Sequence, residues 1–217
     1  IEQVLQETGM IYMTKFFLIL FSFLFLSSCS ALNYISYSQV VPLIKTATVG
    51  VPDIQITPDF IEERKYSFAK VKVGRSAVAI LVLVKITDDV YEWVAGSGEK
   101  LYTFNGKIIK TENTLYDVEV YNFRGFFLPK AGIQSSLNFD VFLQNPDAFI
   151  TQSGSLSGSV NNTQSKASLL VTEELEASGF RWRSINTYYA NQSNQVIKTV
   201  QYIHPNMPRY EISFYYK

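Results

Sequence analysis

Apolar and polar residues alternate along much of this chain, and turn residues cut the alternation into short pieces. Ala69, Val71 and Val73 interleave with Lys70 and Lys72. Leu137, Phe139, Val141 and Leu143 interleave with Asn138, Asp140 and Phe142. Tyr210, Ile212, Phe214 and Tyr216 stand against Arg209, Glu211, Ser213 and Lys217. A period of two places successive side chains on opposite faces of a strand, so each piece predicts a strand with one wet face. The sharpest local signal is Leu101-Tyr-Thr-Phe-Asn105-Gly106-Lys-Ile-Ile-Lys-Thr111. Asn-Gly accepts positive φ at both positions, as a type I′ hairpin turn requires. Many strands joined by short turns predict an all-β fold with few short helices. It is an antiparallel meander, closed as a β-barrel or folded as a sandwich.

The remaining segments read less evenly. Ser76 to Ile86 is nearly unbroken apolar sequence and predicts a strand buried on both faces, with a turn of helix left open by periodicity. Asp88-Asp89 ends it, a strand restarts over Tyr91 to Ala95 around Trp93, and Gly96-Ser97-Gly98 forms a turn. Leu115 to Tyr121 is a further strand. Gln152 to Ser165, rich in Ser, Gly and Asn, predicts an exposed loop. Lys166 to Ala177 is the best helical candidate, although Leu169 to Thr172 suits a strand equally. Gly179 to Ala190 and Gln195 to Ile203 are strands.

The N-terminal region carries an address. Met13-Thr14-Lys15 precedes the apolar run Phe16 to Leu26, and Leu26-Ser27-Ser28-Cys29 follows. A positive start, an apolar stretch and small residues before a cysteine compose a bacterial lipoprotein signal peptide. At 1.5 Å per residue the run is too short for the roughly 30 Å hydrocarbon core of a bilayer. Cys29, the only cysteine, is the predicted lipidation site, carrying palmitate-type acyl chains. Its use there leaves no disulfide, so packing must hold the fold. The organisation expected is an upstream or misassigned-start segment over 1–12, a signal peptide over 13–28, a tether and first element over 29–58, and a single β domain over 59–217.

Little in the sequence carries chemistry. The whole chain has 19 basic and 19 acidic side chains. Removing Lys15, Glu2 and Glu7 with the signal leaves a net charge near +1, which gives no case for nucleic acid. His204, the only histidine, precedes Pro205 and is expected in the turn between the last two strands rather than as a catalytic base. No zinc or soft-metal set is available, and no cofactor motif appears. Asp88-Asp89 could meet a hard cation but is expected to be a solvated turn. Glu173, Glu174 and Glu176 could serve carboxylate glycoside hydrolysis, yet a solvated face is the simpler reading. Trp93, Arg181, Trp182, Arg183 and Tyr188 are the candidate contacts for a glycan or a cavity. Barrel core is the simpler account of the aromatic residues, and cover by their stems that of the arginines.

Ala79-Ile-Leu-Val-Leu83, then Trp93, then Leu101 to Thr111, resembles the YjbF/GfcB-type lipoproteins, the group 4 capsule polysaccharide lipoprotein B family. Gly179-Phe-Arg-Trp-Arg-Ser184 is similar to that family's Trp-Arg-Ser segment, as is the spacing to Val196-Ile-Lys-Thr-Val and Tyr202-Ile-His-Pro205. The chain departs from the family pattern at Glu112-Asn113-Thr114-Leu115, where Gly-Leu is usual, and lacks the Tyr-Trp pair before the Trp-Arg-Ser segment. The resemblance implies an outer-membrane, periplasm-facing lipoprotein. It also implies a non-enzymatic part in capsule or exopolysaccharide secretion and assembly, beside an outer-membrane β-barrel and other export proteins. Ser30 after the cysteine resembles outer-membrane sorting. The alternative is a carrier barrel that shields a lipid or lipoprotein acyl chain.

Overall fold

A computed structural model describes residues 53–161, 167–179 and 181–217. The expected signal segment, Cys29 and the expected tether before Asp53 lie outside the described residues, as does Lys166. A short helix, α1 (Pro58–Glu62), opens the described chain, capped by the Thr57 hydroxyl accepting from the Phe60 amide. Twelve strands follow: β1 (Phe68–Val73), β2 (Ala79–Thr87), β3 (Val90–Ala95), β4 (Lys100–Phe104), β5 (Lys107–Glu112), β6 (Val118–Tyr121), β7 (Gln134–Leu143), β8 (Ala148–Val160), β9 (Leu169–Ala177), β10 (Arg183–Ala190), β11 (Val196–Gln201) and β12 (Tyr210–Tyr215). Each pairs antiparallel with its neighbour in sequence, and β12 returns to β1, with Phe68 opposite Tyr215 and Val73 opposite Tyr210. The sheet is therefore a closed barrel, one of the two arrangements the alternation left open, and closure removes both sheet edges.

The turns follow from residues that tolerate positive φ. Asn105 and Gly106 sit at +49° and +78° between β4 and β5. Asp88 and Asp89 do the same between β2 and β3, at +49° and +65°. Those aspartates thus form a two-residue hairpin turn. The strand expected from Leu115 starts later, at Val118, because the Asp117 carboxylate accepts the amides of Asn113 and Thr114 and holds them in a turn.

Three expectations are corrected. The apolar run at 76–86 is not covered on both faces: Leu81 is buried, but Val82, Val84 and Ile86 are exposed. A register shift between Leu83 and Lys85 leaves Val84 without a partner across the sheet. An apolar run in an antiparallel strand need not be covered twice. The Ser/Gly-rich stretch is not a loop up to Val160 but the long strand β8. Its period is two: Ile150, Gln152, Gly154, Leu156 and Gly158 face inward, with Thr151 and three serines between them. Gly158 is required there, since a Cβ would lie 2.5 Å from the carbonyl oxygens of Pro129 and Lys130. The helical candidate at 166–177 is, over Leu169–Ala177, strand β9, the alternative that Leu169 to Thr172 left open; in it Val171, Glu173, Leu175 and Ala177 alternate inward. Pairing on both sides, with β8 and β10, outweighs the helical propensity of Glu and Leu.

The barrel is pinched. β5 meets β6 at one pair, Lys110 with Glu119, and its first residues Lys107, Ile108 and Ile109 are all buried. They press toward β11, which stands across the ring of strands. A Cβ on Gly106 would lie 2.6 Å from Val196. Backbone groups drawn inward need partners, and Gln201 supplies two. Its amide Nε2 donates to the Gly106 carbonyl at 2.8 Å, and its Oε1 accepts from the Ile108 amide at 2.9 Å. On one side of this bridge lie Tyr91, Trp93, Phe214 and Tyr216, in mutual ring contact. Phe126, Phe139, Glu173 and Tyr188 lie on the other.

Candidate functional site

Two features stand out, one inside the barrel and one on its surface. Inside, Lys107 Nζ donates to Glu173 Oε1 at 2.8 Å and to Oε2 at 3.0 Å. Glu173 Oε2 also accepts from Tyr188 Oη at 2.7 Å and Asn186 Nδ2 at 2.9 Å. Asn186 in turn accepts the Tyr202 amide at 2.7 Å. The Lys107 ammonium lies 4.1 Å from the centre of the Phe139 ring and 5.2 Å from that of Phe126. Burial pulls the lysine below its ordinary range, against the attraction of Glu173. Burial and the adjacent carboxylate push the Tyr188 phenol well above its own. Every polar group in this network has a partner, so it fixes one arrangement of the core.

The cavity beside it, lined by Lys107, Gln152, Asn186 and Gln201 among others, has about 10 Å³. That is room for roughly one water molecule. An acyl-chain carrier would need a dry pocket of about 300 Å³ or more. The network is buried, with Glu173 and Tyr188 fully covered.

On the surface, an open cleft of about 1400 Å³ runs from α1 across the outer part of β11 and β12 to the connections β8–β9 and β10–β11. Lys198, Gln192, Gln195, Ser213, Tyr215 and Tyr216 contribute to its lining. Tyr215 is stacked on Phe68 at 4.6 Å, and the Tyr216 hydroxyl donates to the Val196 carbonyl at 3.0 Å. Asn191 Oδ1 accepts the amides of Ser193 and Gln195, both at 3.0 Å, which shapes the β10–β11 turn. No acidic residue lines the cleft among the described residues.

The residues singled out from sequence do not converge. Trp93 is fully buried, with Nε1 donating to Thr103 Oγ1 at 2.9 Å, and has no surface to offer an external polymer. Tyr188 is fully buried in the ionic network. Trp182 packs half-buried against the core in the β9–β10 connection, where its carbonyl accepts the Ala177 amide. Arg181 is exposed, and Arg183 pairs on the surface with Glu176 at 2.7 Å. His204 is buried in the β11–β12 turn, its Nδ1 accepting the Asn206 amide at 3.1 Å. Burial holds its pKa below the ordinary histidine range. Of the three glutamates expected on a solvated face, Glu174 and Glu176 are exposed and Glu173 is not. Among the described residues no group of three His, Cys, Asp or Glu side chains could hold a metal ion, and no helix is long and apolar enough to cross a membrane.

Sequence reasoning missed Lys107, Asn186 and Gln201, and placed Glu173 on a solvated face when it is buried. Glu173 was detectable: it keeps phase with Val171, Leu175 and Ala177. The cleft has no comparable signal, because it joins turns distant in the chain.

The described residues thus form a closed antiparallel barrel with a bonded ionic network inside and an open cleft outside. Residues 42–124 match the family model YjbF, described as group 4 capsule polysaccharide lipoprotein gfcB. That is the family the strand and hairpin motifs resemble. The fold is also that of the hypothetical lipoprotein YmcC from Escherichia coli (K12), known from a crystal structure. The two share 19% sequence identity at a TM-score of 0.65, over 85% of this chain and 98% of that one. No curated protein matches the sequence.

Proposed function

We propose that this protein is an outer-membrane lipoprotein, anchored through acyl chains on Cys29 and facing the periplasm. Its part in capsule or exopolysaccharide secretion and assembly is non-enzymatic. The observation that carries this reading is the match of residues 42–124 to a capsule polysaccharide lipoprotein family. The filled barrel supports it against the carrier reading, since about 10 Å³ beside a lysine and a glutamine holds no acyl chain. Residues 13–28 are the signal that is removed, and 59–217 form the working β domain. Its partners are an outer-membrane β-barrel, other export proteins and the polymer itself.

The test pairs a gene deletion with Cys29→Ala. The deletion is expected to lower secreted polymer, and wild-type protein to restore it. Cys29→Ala is expected to leave the membrane fraction and to restore secretion poorly. Normal polymer in the deletion strain would rule out the assembly role, and unchanged fractionation of Cys29→Ala would rule out the anchor.

A further inference from the structure

We propose that the end of the barrel at which β1 begins lies against a phospholipid surface. This rests on the Cys29 anchor proposed above and gives the anchored domain an orientation. Three segments meet at that end: the lead into Phe68, the β2–β3 turn and the β6–β7 connection, residues 122–133. β1 and β2 are paired neighbours, and Arg124 Nη2 lies 3.8 Å from Asp88 Oδ2, which joins the connection to the turn. Each segment puts an exposed apolar or aromatic side chain beside an exposed lysine. Tyr66 follows Lys65, Ile86 follows Lys85, and Phe127 and Ile133 flank Lys130.

The β6–β7 connection is the most distinctive of the three. Its sequence contains four large apolar residues besides Phe127, namely Phe123, Phe126, Leu128 and Ile133, two basic residues and no acidic one. Part of that apolar content serves the barrel. Phe126 is fully buried and packs on Tyr188 at 5.1 Å, and Phe123 meets Phe104 at 5.3 Å. The backbone is fixed as well. Asn105 Nδ2 donates to the Phe126 carbonyl at 3.1 Å, the Gly132 amide to the Gly158 carbonyl at 2.8 Å, and the Gly158 amide to the Ile133 carbonyl at 3.1 Å. Phe127 and Ile133 take no part in this packing: held outward on a fixed strap, they are 64% and 54% exposed. Apolar tips spaced around a rim, each beside a long cation, suit lipid better than protein. Lysine is depleted in protein interfaces, whereas apolar and basic side chains together hold a protein at the headgroup level of a bilayer. Lys65, Lys85 and Lys130 form no ion pair with a carboxylate among the described residues, which leaves them for lipid phosphates. Asp88 and Asp89 in the turn, and Glu62 and Glu63 ahead of Lys65, offset this charge, so the apolar tips carry the contact and the lysines orient it. The lead from the anchored N-terminus enters the barrel at the same end, through α1 into Phe68.

The acylated full-length protein in vesicles of phosphatidylethanolamine and phosphatidylglycerol tests this. Acylation occupies Cys29, so one introduced cysteine carries a polarity-sensitive label. It is placed by Ala131→Cys on the strap or by Leu115→Cys at the opposite end, both exposed positions. The label at 131 is expected to shift its emission to the blue and to be quenched by spin-labelled lipid, and the label at 115 to do neither. Phe127→Ser with Ile133→Ser is expected to abolish the shift at 131 and to leave the unfolding midpoint unchanged, since both side chains are exposed. Ile185→Ser, exposed on β10, behaves as wild type. Both labels in water, the label at 115 in lipid, or an undiminished shift at 131 in the double variant each overturns the assignment. Flotation of the vesicles reads the anchor separately. Protein that floats with both labels in water overturns the orientation alone, and protein that does not float overturns the anchor and the orientation with it.

Discussion

The two sides of the pinched barrel solve the same packing problem with opposite chemistry. On one side Trp93, Phe214, Tyr216 and Tyr91 fill the space as a cluster of rings, with hydrogen bonds only at its margin, from Trp93 to Thr103 and from Tyr216 to the Val196 carbonyl. On the other a lysine and a glutamate are taken out of water and surrounded by Tyr188, Asn186 and two phenylalanines. The ring cluster adapts: rings can shift and still exclude water. The ionic side cannot, because moving any partner strands a charge. Stability on the aromatic side is thus spread over area, and on the ionic side it hangs on completeness.

The largest expected effect is on the ionic side. Glu173→Leu leaves Lys107 buried without its partner and should lower unfolding free energy by about 3–5 kcal/mol in urea titrations. Adding Lys107→Met should recover most of that loss. If the single variant costs under about 1 kcal/mol, the contrast between the two sides disappears. Next comes the bridge that divides them. Gly106→Ala puts a Cβ at positive φ and 2.6 Å from Val196, and should cost roughly 2–4 kcal/mol. Combining it with Val196→Ala should return the crowding part alone, as a double-mutant cycle would read. On the aromatic side Thr103→Val strands the Trp93 indole N–H and should cost about 1–2 kcal/mol. Trp93→Phe in the same background should add little for the hydrogen bond, since both partners are then apolar.

His204 gives a smaller, pH-dependent effect. Its folded pKa lies below the unfolded value of about 6.5, so the unfolded chain binds the proton more readily. Stability from this site is complete above about pH 6.5 and falls as pH drops through that value. Unfolding midpoints followed from about pH 7.5 to about pH 5 should decline less in His204→Gln than in wild type. Least of all, Val84→Thr on the exposed part of β2 should change stability by no more than about 0.5 kcal/mol.

How far the sequence could be read follows the same division. Alternation found β1, β7 and β12 because their inward residues are apolar. The Asn105-Gly106 turn was legible from two residues, since few others accept two successive positive φ values. β8 was hidden because its inward positions include Gly154 and Gly158, which look like turn residues while serving close packing. Gln152, also inward, is lost among the serines. β9 was hidden because Glu173 counts as polar in a helical pattern. Its burial depends on Lys107, which lies 66 positions earlier in the chain. Polar residues inside the barrel are satisfied by distant partners, and no local window contains both. The cleft was illegible for the same reason.

The seam between β1 and β12 has a consequence for how the molecule is made. Phe68 to Val73 finds its outer neighbour only when Tyr210 to Tyr215 exists. Synthesis runs the other way, so β1 waits with one row of amides and carbonyls unpaired while the rest of the chain follows. During that wait the growing sheet has an adhesive first edge and an adhesive last edge, and other unfinished copies present the same surfaces. Anything that shields nascent strands acts on this interval, and a chain cut before residue 210 would be left in it.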